Sequence, residues 1–385
     1  MLAHSSDCAA DDGEHHETSQ RPHERVPHGE GRAPGGCGER GSRVRVQLAR
    51  RRRSPGHVRK RATIDPRKTT CMLYLQADHL FFEKYGTEEA CIEVMTRHVQ
   101  RVNSIYKHTD FNQDGQSDNI SFMIKRIKVH SGDAMNDPAY RFPGNYGVEK
   151  FLEIFSEEDY DAFCLAYMFT YRDFEMGTLG LAWTGDLKNA GGVCEKNGHY
   201  RGSMKSLNTG IVTLLNYGKH VPPAVSHVTL AHEIGHNFGS RGFRFQHDPE
   251  ICTPGGDDGN FIMFARATSG DKRNNNRFSP CSLNSINPVL NTKARSSKGC
   301  FTEPQASICG NGVVEGDEEC DCGWEEDCSD KCCYPQRRYP PIDEPPCHLT
   351  PRSQCSPSQV SNSVTFLLIF ISMYLNVKFQ SPKNT

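Results

Sequence analysis

The segment 231–239, with the sequence AHEIGHNFG, constrains the fold of this chain more than any other feature. It contains H-E-x-x-H with a glycine three residues later, a pattern typical of zinc peptidases. On a helix, the i, i+4 spacing places His232 and His236 on one face, so each ring can aim a nitrogen at one ion. Glu233 lies next to that face, where a carboxylate can accept a proton from an attacking water. The segment therefore predicts a helix that carries a zinc site.

The third histidine of the extended zinc pattern, H-E-x-x-H-x-x-G-x-x-H, is displaced in this chain. Its position is taken by Gly242, and the next histidine is His247, five residues later. A longer loop could still return His247 to the metal, because each doubling of loop length costs only about 0.6 kcal/mol. A ligand on a longer loop is less pre-organised, however, and a placement error of ~1 Å can lower a rate about 100-fold. We expect His232, His236 and His247 to hold the metal, and whether His247 reaches it stays open.

Two further features bear on the zinc site. Gly239 can end the helix in a left-handed conformation and send the chain back under the metal. Farther along, Met263 in the run FIMFA at 261–265 predicts the methionine turn that underlies the metal in one class of zinc peptidases. Taken alone, Met263 favours ordinary core packing. Together with the helix motif it favours the zinc site.

The cysteines indicate a protein made in an oxidising compartment. The chain has 17 cysteines in 385 residues, eight of them between residues 309 and 355. Such density is typical of a small disulfide-bonded module. Zinc fingers are the alternative, but the spacings at 320–322 and 332–333 do not form the paired C-x-x-C clamps that they need. Residues 71–300 hold seven cysteines, an odd number, and Cys91, in a helical pattern, is the candidate for a buried free thiol.

Residues 1–61 are rich in Pro, Gly and Arg and predict a largely disordered remnant of a pro-segment. Their basic clusters lack the aromatic residues and fold motifs of nucleic-acid binding, so we expect cleavage by a proprotein convertase after Arg53 or Arg61. Cys37 could keep a zinc enzyme latent by occupying the open metal position, or it could be a stray thiol. No apolar signal sequence is present, which conflicts with the cysteines, and we interpret the N-terminus as incomplete or wrongly predicted.

The middle of the chain alternates between strand and helix patterns. We predict strands at 72–76, 120–129, 163–169, 179–183 and 209–215, and helices at 80–106 and 148–155. This order implies an α/β fold, a twisted and mainly parallel sheet with helices packed on it. Residues 62–302 are expected to form this domain. Within it, Asn119 begins an N-glycosylation sequon, N-I-S.

The composition changes twice after Cys300. Residues 303–360 form the cysteine-dense module, where acidic side chains could bind calcium. Residues 361–385 form an apolar tail with twelve mostly apolar residues at 364–375. A membrane helix needs about 17–25 apolar residues, so the tail predicts no convincing transmembrane helix. We expect a protein of the secretory pathway, at the cell surface or outside the cell, and its membrane anchoring stays open.

Several strings resemble the ADAM family of metalloprotease-disintegrins (metzincins of the adamalysin or reprolysin type), and specifically its Kuzbanian-type sheddases. They are the zinc helix, the methionine turn, the cysteine-dense module and the segments 77–82, 141–143, 179–183, 205–210 and 265–271. The resemblance runs from residue 70 to about residue 359. It departs from the family at the insertion 241–246, and most of the pro-domain, the signal peptide and the membrane helix have no counterpart.

The resemblance implies a metzincin-type zinc protease domain followed by a partial disintegrin-like domain, with zinc as cofactor and Glu233 as catalytic base. It implies a zymogen that sheds the ectodomains of type I membrane proteins, Notch-like receptors among them, and it makes Cys37 similar to the family's pro-domain cysteine. It also implies the disulfides Cys71–Cys164, Cys194–Cys300 and Cys252–Cys281. Two alternatives stay open: an inactive disintegrin-like protein that binds a cell-surface partner, and a splice or gene-prediction variant of an active sheddase.

Overall fold

The computed structural model of the protein describes residues 64–243, 248–337 and 340–354, together with Ser356 and Ser358. Its strands are, in chain order, β1 (Thr70–Ala77), β2 (Ser121–Val129), β3 (Leu165–Thr170), β4 (Gly180–Ala182), β5 (Gly198–Tyr200), β6 (Ser203–Lys205), β7 (Thr209–Thr213), β8 (Leu215–Asn216) and β9 (Lys219–His220). Its α-helices are α1 (His79–Tyr85), α2 (Glu88–Tyr106), α3 (Val148–Phe155), α4 (Pro223–Asn237) and α5 (Pro280–Val289).

The central sheet has five strands in the order β2-β1-β3-β7-β4. β1 pairs in parallel with β2 and β3, and β3 pairs in parallel with β7, whereas β4 runs antiparallel to β7. Parallel strands are covered on both faces, and β1, β3 and β7 are accordingly buried along their whole length. The prediction of an α/β fold with a mainly parallel sheet is confirmed. The two hairpins β5-β6 and β8-β9 lie outside this sheet.

The single helix expected at 80–106 is wrong, because the chain forms two helices there. Gly86 ends α1 with a φ of +83°, and its N–H donates to the Phe82 carbonyl at 2.7 Å. Thr87 then starts α2, and its side chain accepts from the Ala90 N–H. A glycine adopts the left-handed conformation without a Cβ penalty. The apolar spacing continues on both sides of this two-residue break, so periodicity alone does not reveal it.

The strand expected at 209–215 is also too long. It ends at Thr213, because its partner β3 ends at Thr170, directly opposite. The other predicted strands, and the helix at 148–155, agree with the structure to within about two residues at each end, as is usual for element boundaries.

The core between the sheet and the helices positions α4. Tyr106 on α2 is fully buried, and its hydroxyl donates to the Ala231 carbonyl on α4 at 2.9 Å. Three disulfides join the surrounding segments, and they have the pairing that the family resemblance implied: Cys71–Cys164, Cys194–Cys300 and Cys252–Cys281. Cys91 is free and buried, as expected from the odd count.

The cysteine-dense module packs against the β2 edge of the sheet. Its described residues form three disulfides, Cys309–Cys347, Cys320–Cys333 and Cys322–Cys328. Trp324 is 5% exposed, and its indole N–H donates to the Lys125 carbonyl on β2 at 3.3 Å. The Arg126 guanidinium lies 5.2 Å from the same indole ring and forms an ion pair with Asp327 at 2.5 Å. Within the described ranges, no helix has the length and apolar character needed to cross a bilayer.

Candidate active site

Helix α4 carries the H-E-x-x-H residues in the interior of the molecule. It begins at Pro223, where the fixed φ of proline suits the first helical turn. His232, Glu233 and His236 are 4%, 2% and 2% exposed, respectively. The Nε2 atoms of the two histidines lie 3.1 Å apart, and their rings are nearly perpendicular, at 82°. The helix therefore brings two imidazole nitrogens to one point, as the i, i+4 spacing predicts.

Hydrogen bonds to carbonyl groups determine which nitrogen of each ring is protonated. Nδ1 of His232 lies 2.6 Å from the Ile262 carbonyl oxygen, and Nδ1 of His236 lies 2.7 Å from that of Ser240. A carbonyl oxygen can only accept, so both Nδ1 atoms carry the proton. Burial lowers the pKa of His232 to about 3 and that of His236 to about 4, so both rings are neutral at pH 7.

The two Nε2 lone pairs therefore face each other without a proton between them. Two such lone pairs repel, and a cation placed between them removes the repulsion. On a tetrahedral zinc ion with Zn–N bonds of ~2.0–2.1 Å, two nitrogens lie about 3.3 Å apart, close to the spacing found here. The carbonyl partners at Nδ1 are the kind of outer contact that orients metal-binding histidines. This donor set fits a zinc ion.

The end of α4 orients His236. Gly239 has a φ of +102°, and its N–H donates to the His236 carbonyl, while the Ser240 N–H donates to the Gly235 carbonyl, each at 2.9 Å. These two bonds form the Schellman motif that ends many helices. The motif brings the Ser240 carbonyl back over the helix end, where it accepts from the His236 ring. Gly239 thus ends the helix in the left-handed conformation expected from the sequence.

Met263 lies directly beneath the zinc-motif helix. It is fully buried, and a Cβ placed on Gly235 would lie 2.4 Å from its sulfur. Gly235 stands between the two histidines in sequence, so the absence of a side chain there lets the methionine approach the helix. The residue before it, Ile262, supplies the carbonyl that accepts from His232. Met263 therefore lies where a methionine turn would support the metal site, and it also belongs to the core.

Glu233 faces the edge strand of the sheet. A Cβ placed on Gly180 of β4 would lie 2.6 Å from Glu233 Oε1, so the carboxyl group packs against a backbone position that only glycine leaves open. Burial raises the pKa of Glu233 well above its usual range. A raised pKa makes the carboxylate a stronger proton acceptor. The site thus combines a pair of candidate metal ligands with a candidate general base.

The chain after α4 turns back beneath the helix before the displaced histidine. The Phe243 N–H donates to the Met263 carbonyl at 2.9 Å, and the Phe243 carbonyl accepts from Ala265 at 2.9 Å. On the far side of the insertion, the side chain of Asp248 is 2% exposed and forms an ion pair with Arg241. His247 lies outside the described residues, together with the rest of 244–247, so its predicted role as third ligand stays a prediction.

Several other predicted positions also lie outside the described part of the chain, namely Cys37, Arg53 and Arg61. Asn119 is described and exposed, with a φ of +56°. Its sequon partner Ser121 is 8% exposed, and its hydroxyl lies 3.2 Å from that of Thr70. A glycan on Asn119 would therefore project into solvent.

The contacts that hold the site in place were not predicted from the sequence. Two of these contacts are made by backbone carbonyls, those of Ser240 and Ile262, and the third depends on the lack of a side chain at Gly180. A pattern of residue types gives no signal for such contacts. The one available signal was the glycine at 180 within a short predicted strand, because such a glycine often marks a close approach.

Comparison with known proteins agrees with this geometry. Residues 88–292 match metallo-peptidase family M12B, reprolysin-like. The chain is 51% identical over 317 residues to disintegrin and metalloproteinase domain-containing protein 10 of Bos taurus, covering 79% of this chain and 40% of that protein. The human protein of the same name is 52% identical over 292 residues, covering 73% and 37%. A Caenorhabditis elegans homolog is 43% identical over 334 residues, covering 75% and 35%. The chain spans about two fifths of the length of the Bos taurus relative.

Proposed function

Because the chain belongs to the reprolysin-like M12B family of metallopeptidases, in its ADAM branch, we propose that it is a zinc endopeptidase that sheds ectodomains of membrane proteins. The observation that carries the proposal is the α4 cluster: two neutral imidazole nitrogens 3.1 Å apart, beside a buried carboxyl, at the edge strand of the sheet. The expected family membership is confirmed.

We assign His232, His236 and His247 as the metal ligands. A zinc ion held there would supply a Lewis acid that polarises the scissile carbonyl and lowers the pKa of water. The chain's own contribution is to hold the nitrogens in place. The Ile262 and Ser240 carbonyls orient the two α4 rings, and Met263 supports the helix from below.

We assign Glu233 as the general base. It would accept the proton of the attacking water and then pass it to the leaving amine. Its burial against Gly180 supports this role in two ways. The contact limits the positions that the carboxyl can adopt, and burial raises its pKa, which makes the carboxylate a stronger proton acceptor.

The edge strand β4 supports an extended polypeptide as substrate. Among the described residues it pairs only with β7, so no other described strand occupies its second edge, where a substrate strand could pair. Main-chain hydrogen bonds to such an edge bind an extended peptide largely independently of its sequence. Type I membrane proteins, Notch-like receptors among them, are the substrates that the ADAM resemblance suggests.

Maturation and latency follow from the same resemblance. A proprotein convertase would cut after Arg53 or Arg61, and until then Cys37 would occupy the open metal position. This sequence of events requires the secretory pathway, where the disulfides form, and ends at the cell surface or outside the cell. The corresponding domains are 1–61, 62–302 and 303–360, with the apolar tail at 361–385.

Acidic residues in the disintegrin-like module support a calcium site. Ligand oxygens of Glu318 and Asp321 lie within 4.8 Å of each other. Within the described ranges, Glu318 Oε1 is buried without a hydrogen-bond partner, and burial raises the pKa of both carboxyls. Calcium would compensate this buried charge. If so, calcium should raise the melting temperature of the chain over that in EDTA, and Glu318→Gln should abolish the difference.

The proposed activity is tested with the full chain, treated with a furin-type convertase and supplied with a quenched fluorogenic peptide. We expect zinc-dependent cleavage that is lost in Glu233→Ala and in the presence of a chelator. Bound zinc is measured separately by mass spectrometry of the native protein. A folded chain that binds zinc but turns over no faster than Glu233→Ala would contradict the endopeptidase assignment.

A deletion variant separates the insertion from the rest of the site. Removing residues 242–246 places His247 three residues after Gly239, the spacing of the extended zinc pattern. Activity in the deletion variant alone would show that the insertion displaces the third ligand. Equal activity in both chains would show that the longer loop returns His247 to the metal.

A further inference from the structure

Two large apolar side chains are exposed at Gly177, three residues before Gly180 of the candidate active site. Met176 is 67% exposed and Tyr217 is 62% exposed. Met176 adjoins Gly177 in sequence, and a Cβ on Gly177 would lie 2.7 Å from Cε2 of the Tyr217 ring. Met176, Gly177 and Tyr217 together form what we name the apolar patch. Exposed apolar groups that cluster in this way commonly mark binding surfaces.

The backbone of the apolar patch is strained. Met176 and Tyr217 have φ values of +54° and +47°, in the left-handed region that large side chains rarely adopt. Tyr217 and Gly218 form the turn of the β8-β9 hairpin, a position where Asn-Gly is favoured. Asp173 holds this turn, since its carboxylate accepts from the Tyr217 N–H at 2.9 Å and the Gly218 N–H at 2.5 Å. Strain of this kind concentrates at ligand-binding sites.

The apolar patch precedes the edge strand in the chain, where Glu175–Gly177 form a short 3-10 turn. Gly177 precedes Gly180 by three residues, and Gly180 is the position against which Glu233 packs. Three residues span at most about 10 Å, so Gly177 lies within that distance of Gly180. A polypeptide that pairs with β4 and runs past Gly180 would therefore bring a side chain about three residues from the scissile bond within reach of the patch.

We propose that the apolar patch is a selectivity site that binds an apolar side chain of the substrate about three residues from the bond cleaved. The inference rests on the proposed function and specifies its substrate class. The ring of Tyr217 and the thioether of Met176 supply the apolar contact. Asp173 and Glu175 are exposed beside them and repel acidic side chains at the same position. The preferred polypeptide thus carries a residue such as leucine there, and aspartate is disfavoured.

The test measures peptide binding to the full chain carrying Glu233→Gln, so that the result does not depend on turnover. Fluorescent peptides carry leucine or aspartate at the third position on either side of the scissile bond. We expect leucine to bind about tenfold more tightly than aspartate at one of these positions. Tyr217→Asn should reduce that ratio to about twofold, because it removes the ring yet leaves Asn-Gly, a pair that favours the turn.

Two controls test the folding and the location. Tyr217→Phe keeps the ring and should keep the leucine preference, and Met135→Asn changes an exposed methionine, 46% exposed, near the opposite edge of the sheet and should change nothing. Equal binding of the leucine and aspartate peptides, or a preference that survives Tyr217→Asn, would overturn the proposal. Cleavage by the chain with Glu233 intact is measured in parallel and decides the proposed function separately.

Discussion

Gly180→Ala perturbs the candidate general base from the opposite side of the site. The added Cβ would lie 2.6 Å from Oε1, 2.7 Å from Cγ and 2.8 Å from Cδ of Glu233. These distances fall well short of the ~3.5–4.0 Å at which non-bonded atoms pack, so the carboxyl must move by on the order of 1 Å. A displacement of that size lowers a catalytic rate about 100-fold. We therefore expect kcat/KM to fall by about that factor.

The effect of Gly180→Ala on stability should be smaller. Overpacking costs about 1–3 kcal/mol, and alanine recovers roughly 0.5–1 kcal/mol over glycine in a strand. The free energy of unfolding, measured by urea denaturation with the disulfides intact, should therefore fall by about 0–2.5 kcal/mol. In a Glu233→Ala background the obstructing side chain is gone, and the same substitution should be neutral or stabilising.

A double-mutant cycle decides whether the contact is responsible. The four chains are the unchanged protein, Gly180→Ala, Glu233→Ala and the double variant. If the Cβ meets the carboxyl, the coupling energy between the two positions should be about 1–3 kcal/mol, typical of residues in contact. Additive effects on stability, or full activity in Gly180→Ala, would refute the reasoning.

Three further predictions concern the core. Burial lowers the pKa of His98 to about 3, so on acidification the unfolded chain binds a proton before the folded chain does. Between pH 7 and pH 4.5 the free energy of unfolding, measured by urea denaturation, should therefore fall by about 2.5 kcal/mol more than it does in His98→Gln. Arg172→Met leaves Asp78 without its buried ion pair, formed at 3.0 Å, and should cost about 3–5 kcal/mol in the same assay. Glycine to alanine normally stabilises a helix, but Gly235→Ala should lower the free energy of unfolding by about 1–3 kcal/mol, because its Cβ would meet Met263. A melting temperature at or above that of the unchanged protein would contradict this.

Much of the fold could be predicted because its signals are local. The i, i+4 histidines and the glycine after them predict the zinc-motif helix and its end, since these features involve residues within two turns of one another. Strand and helix alternation predicts the mainly parallel sheet. The break at Gly86 was missed because a one-residue left-handed cap leaves the apolar spacing of both helices in register.

The sequence by itself determined the residue types at the candidate site, the sheet class and the free thiol at Cys91. Only the tertiary structure decided how the site is held. The Ile262 carbonyl reaches His232 across 30 positions of sequence, and Gly180 meets Glu233 from a different strand. Trp324 likewise meets Lys125 across 199 positions. Such contacts depend on how the sheet assembles. The pattern of residue types predicts contacts within one helical turn or one strand, but it does not predict which backbone atoms of distant segments will lie opposite each other.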